Sequence, residues 1–90
     1  MITIDRLEKN RFKVTVESNT TTTHIVTVSP EDYQQLTGGD FTHEELLRES
    51  FRFLLEREPN TSILRKFDLM VIQRYFSDYQ QEIQSRLRST

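Results

Sequence analysis

Histidine is the residue type most able to do chemistry in this chain, and there are only two, His24 and His43, with no cysteine at all. The absence of thiols excludes a disulfide framework, a zinc ribbon, an Fe–S cluster and a cysteine nucleophile. His43-Glu44-Glu45 has the start of a helical zinc motif, but that motif needs a second histidine one turn on, and Leu47 stands there. An exposed, solvated residue near a helix start is therefore expected at 43. His24 shares the face of Val26 and Val28 in a strand pattern and is expected at an edge or half-buried. The acidic pairs Glu31-Asp32 and Glu44-Glu45 sit where helices begin, and the helix dipole accounts for them without acid–base catalysis. Gly38-Gly39 lacks the Lys-Ser/Thr of a phosphate loop, and no serine elbow is present. No catalytic, cofactor or metal residue is assigned, and the chain is not expected to be an enzyme.

Charge offers one further candidate. Residues 1–45 carry four basic and eight acidic groups, net −4; residues 46–90 carry eight and six, net +2. Arg48 and Arg52 lie one turn apart and form a candidate anion or partner patch, although Glu44, Glu45, Glu49 and Glu56 share the helix and Glu44 is spaced i,i+4 to pair with Arg48. A pI near 5.6 argues against tight non-specific binding to nucleic acid, which depends on a basic surface.

The elements that must position these groups can be read from periodicity. Ile2 and Ile4, then Phe12, Val14 and Val16, then Val26 and Val28 alternate with polar residues, which predicts strands over 2–7, 11–18 and 22–29. A three-stranded antiparallel meander is the expected result. Ser29-Pro30 opens a short helix that Gly38 closes. Thr42 and Glu45 form a capping box, with Phe41 and Leu46 at staple spacing, so a second helix should run from there to about Glu58, before Pro59. After a short turn through Ile63, Leu64 and Phe67, the stripe Leu69, Ile72, Phe76, Tyr79, Ile83 and Leu87 predicts a long helix with a bend near Ser77 and fraying over 86–90. The expected fold is one α+β domain over residues 1–90: a three-stranded antiparallel sheet over 1–29, with three or four helices over 30–88 on one face. No apolar run reaches membrane-span length and no basic, then apolar, leader is visible, so a soluble cytoplasmic protein is expected.

The helical part has more large apolar side chains than one face of a small sheet can cover. The surplus must pack helix on helix or form an interface. Phe53, Met70, Tyr75 and Tyr79 are the expected contact residues, toward a protein partner or a second copy of the chain. A non-enzymatic interaction or self-association domain is the leading reading. A small-ligand or enzyme site would have to rest on His24 or on Arg48 and Arg52.

The segments Ser29-Pro30-Glu31-Asp32-Tyr33, Leu36-Thr37-Gly38-Gly39, FRFLLEREPN over 51–60, Ser62-Ile63-Leu64, Phe67-Asp68-Leu69, Ile72 and Tyr75-Phe76 resemble a family of small bacterial proteins without assigned activity. That resemblance implies a stand-alone domain and brings no catalytic residues. The order strand (24–29), helix (30–37), helix (42–58) also resembles ribbon-helix-helix repressors, which implies a small DNA-binding regulator as the alternative. In that family the ribbon pairs across a dimer and its outward side chains read bases. Here those positions are Thr23, Ile25 and Thr27, none of them a usual base reader.

Overall fold

The computed structural model describes residues 1–89. Alternation builds the sheet as expected: β1 (Ile2–Glu8), β2 (Arg11–Val16) and β3 (Thr22–Thr27) form an antiparallel meander, with Phe12, Val14, Val16, His24 and Val26 buried beneath it. Local capping chemistry then sets the helices. In α1 (Pro30–Thr37) the Ser29 hydroxyl accepts the Asp32 N–H at 3.1 Å, and Gly38 ends the helix at φ 69°, a conformation glycine adopts without steric cost. In α2 (His43–Leu55) both bonds of the Thr42/Glu45 capping box are made.

A fourth strand corrects the expected topology. β4 (Lys66–Asp68) pairs parallel to β3, with Val26 opposite Phe67, so the sheet is mixed with order β1-β2-β3-β4. Bonds from Ile25 N–H to the Arg65 carbonyl (2.8 Å) and from Leu69 N–H to the Thr27 carbonyl (2.9 Å) extend the ladder at both ends. Three residues with one inward side chain are too few to show alternation, so the sequence pattern suggested only a turn there. The whole of α1 and α2 forms the crossover that a parallel pairing requires.

The C-terminal stripe is divided as expected near Ser77, into α3 (Val71–Tyr75) and α4 (Tyr79–Arg88). Phe76 is extended, and the Gln73 side chain spans the break: its Nε2 donates to the Ser77 carbonyl (2.5 Å) and its Oε1 accepts the Gln80 N–H (2.9 Å). The stretch from residue 86, where fraying is expected, continues α4 to Arg88 with a turn at Ser89. Leu87 is buried, and Arg86 is held by Glu56 at 2.6 Å and Glu82 at 3.1 Å; Thr90 lies outside the described residues.

Helix α2 is buried on two sides. Phe51 faces the sheet against His24 and Phe67, while Phe53 meets Phe76 and Tyr79 edge-on at 5.8 and 5.4 Å. Ser50 lets α4 approach: its hydroxyl bonds the Tyr79 hydroxyl at 2.7 Å and also donates to the Leu46 carbonyl. The apolar surplus is therefore spent on helix–helix packing. Met1, Leu7, Leu64 and Tyr75 are the large apolar side chains left exposed among the described residues.

Candidate functional site

Three groups of side chains can be built upward from these elements. The first surrounds His24, which lies on β3 between β2 and β4 and is fully buried rather than at an edge. Its Nδ1 lies 2.8 Å from the Leu64 carbonyl, and only a protonated Nδ1 can donate there. The neutral ring then accepts at Nε2 from the Thr22 hydroxyl, 2.8 Å away. Thr22 Oγ1 in turn accepts from the Asn60 amide at 2.9 Å, and Asn60 also donates to the Thr20 carbonyl at 2.7 Å. Burial, opposed in part by the Leu64 carbonyl and aided by the Arg65 charge, lowers the His24 pKa. Both His24 nitrogens, the Thr22 hydroxyl and the Asn60 amide nitrogen have partners in this network, and what it achieves is attachment of segment 60–65 beside β3.

The second group gathers around His43, the first residue of α2. Its ring is stacked between Tyr33 (centroids 4.0 Å apart, 12° between planes) and Phe12 (5.2 Å, 22°), so it is half-buried instead of freely solvated. The Arg6 guanidinium donates to Nδ1 at 3.2 Å and lies 5.0 Å from the Phe12 ring centre. The Tyr33 hydroxyl donates to the Phe41 carbonyl. Burial first, then the Arg6 charge, lowers the His43 pKa. These residues, with Ile4, Thr42 and Glu44, border a shallow cleft of about 420 Å³. The two histidines have separate partner sets on different elements. Among the described residues no cluster of three or more His, Asp or Glu is arranged to hold a metal ion.

The third group is an apolar groove of about 190 Å³ where the end of α2, the 62–64 segment, β4 and α3 meet. Leu54, Ile63, Phe67 and Ile72 make its floor; Leu64 (47% exposed) and Tyr75 (68% exposed) stand at its rim. Arg65 and Arg74, the chain neighbours of the rim residues Leu64 and Tyr75, are exposed and form no ion pair among the described residues; Lys66 is on the sheet face opposite Phe67. Glu58 is the acidic residue of the lining.

The expected contact residues divide. Tyr75 is on the groove wall, and Met70 is half-buried against the core. Phe53 and Tyr79 are fully buried inside the subunit, which corrects their assignment to a contact surface. Phe53 misled because it lies off the sheet-facing stripe of α2; the second buried face of that helix comes from α4. Arg48 and Arg52 do not form an open patch. Arg48 pairs with Glu44 at 3.3 Å and donates to the Ile2 carbonyl at 2.7 Å, and Arg52 pairs with Glu49 at 2.6 Å. Spacing marked the Glu44–Arg48 pair but not Arg52 with Glu49, and nothing in the sequence marked Asn60, Arg6 or Phe12 as partners of the histidines.

β3 has a neighbour on each side, so neither of its edges is free to make the intersubunit ribbon of ribbon-helix-helix repressors. No described helix is long and apolar enough to cross a membrane. Compared with family models, curated proteins and solved structures, the chain matches none of them, so the resemblance to small bacterial proteins rests on the residues quoted for it.

Proposed function

We propose that this protein is a non-enzymatic interaction domain, and that its groove between α2, β4 and α3 takes the apolar side chains of a protein partner. The observation that carries this reading is the rim. Tyr75 and Leu64 are two of the four large apolar side chains left exposed among the described residues, and these two border the same concavity. Exposed apolar side chains gathered at a concave surface are a mark of recognition surfaces, whereas scattered ones need no explanation. Tyrosine supplies apolar contact with a polar end and few rotatable bonds, which suits it to such a site. Arg65 and Arg74, exposed and without an ion pair among the described residues, favour an acidic flank on the partner, because opposite potentials steer encounter and select register.

Selection of a random peptide library against the immobilised protein tests this reading. Peptides pairing an aromatic or aliphatic anchor with Asp or Glu should be enriched on the wild-type chain, and that enrichment should disappear on Leu64→Ser/Tyr75→Ser. No enrichment, or enrichment that the double variant retains, overturns it.

A further inference from the structure

We infer that the outer edge of β1 is a seam for a second copy of this chain, joined antiparallel about a two-fold axis with Ile4 opposite Ile4. The ladder geometry leads there. Met1 and Glu17 exchange bonds in both directions, at 3.0 and 2.9 Å. Bonded and non-bonded pairs alternate in an antiparallel ladder, so Thr3 and Asp5 turn their N–H and C=O groups toward β2, while Ile2, Ile4 and Arg6 turn theirs outward. β1 is the longest strand of the sheet and, among the described residues, has no neighbour beyond it. The register irregularity between Arg6 and Glu8 ends the regular edge at Arg6. Arg48 reaches one outward carbonyl, that of Ile2, at 2.7 Å, and a carbonyl oxygen has a second lone pair for another donor.

The occupant follows from which pairing this edge can make. Only outward-facing residues can form bonded pairs across the seam. With Ile4 on the axis, Ile2 pairs with the second copy's Arg6 in both directions, so all three outward residues are used. Thr3 then faces Asp5 across the axis, a hydroxyl beside a carboxylate, with no like charges opposed. Slipping by one bonded pair in one direction sets Asp5 against Asp5. Slipping in the other leaves Arg6 without a partner. The edge is thus complementary to itself in one register, with an Ile4–Ile4 contact on the helix side; directly opposed cross-strand pairs are the unit of sheet stabilisation. The seam is remote in sequence from the groove residues and does not rest on the groove's function.

Sedimentation equilibrium of the full chain, up to roughly 1 mM, tests the seam. Wild type should show a reversible monomer–dimer equilibrium. Thr3 and Asp5 are exposed on the open face of the sheet, so substitutions there leave the core intact, as circular dichroism would verify. Thr3→Asp places two carboxylate pairs across the axis and should raise the dimer Kd about tenfold; Thr3→Lys should lower it by a similar factor. Thr3→Asp/Asp5→Thr exchanges the two side chains and should bring the Kd back toward wild type. Tyr75→Ser should leave it unchanged. A monomer at every concentration, a dimer indifferent to Thr3→Asp, or a dimer lost with Tyr75→Ser overturns the proposal.

Discussion

The surroundings of His24 and His43 differ far more than the residues do. Both rings are held below the ordinary histidine pKa by burial, and both touch an aromatic side chain. His24 has both nitrogens bonded inside a closed chain of polar partners, from Asn60 through Thr22 to the Leu64 carbonyl. His43 has one bonded nitrogen and lies in a ring stack at the lip of a shallow cleft. The first histidine joins segments 40 residues apart in the chain; the second packs where β1, β2, α1 and α2 converge. An identical side chain serves as an internal fastener in one place and as a surface filler in the other, according to which elements surround it.

The largest effect expected from breaking this contrast comes from His24→Leu. Removing the ring's polar atoms leaves the buried Thr22 hydroxyl without its acceptor and the part-buried Leu64 carbonyl without its donor. Such orphaned groups cost about 1–3 kcal/mol each, so a loss of about 2–5 kcal/mol is expected in urea-monitored unfolding. His43→Ala removes one hydrogen bond and the ring from its stack and should cost only about 1–2 kcal/mol. If His43→Ala proves the more damaging of the two, the comparison is inverted.

Acid sharpens the same contrast with a smaller effect. A histidine whose folded pKa is depressed lets the unfolded chain bind protons that the folded chain refuses. Its contribution is complete above the ordinary value of 6.5 and is lost as pH falls below it. Stability should therefore decline from pH 7.5 toward 5.5, with a slope of at most about 1.4 kcal/mol per pH unit for each histidine. The double variant His24→Gln/His43→Gln should flatten that slope, as urea midpoints at the two pH values would reveal. A slope unchanged in the double variant would assign the acid sensitivity to other groups.

The meander, both capped helix starts and the break near Ser77 were legible in the sequence because each rests on contacts close in the chain: alternation along a strand, Ser29 reaching Asp32, Thr42 exchanging bonds with Glu45. β4 was not legible, since Phe67 is its only inward side chain and its partner Val26 lies far away. The burial of Phe53 and Tyr79 was hidden for a related reason. A helix with two neighbours buries two faces, and a single-stripe reading allows only one. At the candidate sites, the exposure of Tyr75 was legible from its place just off an apolar stripe, but the groove it borders was not, because its lining comes from α2, the 62–64 segment, β4 and α3. The stacking of His43 was not, because its three partners come from β1, β2 and α1.

The late position of β4 has a consequence for how the chain assembles. Until residues 64–69 have been made, the meander carries an unoccupied border along β3, and His24 lacks the Leu64 carbonyl that accepts its hydrogen bond. Pairings between distant segments form slowly, because a long loop must close before any contact rewards it. On a ribosome, the emerging polypeptide would expose that sticky flank throughout the synthesis of α1 and α2, and the arrival of three residues would seal it.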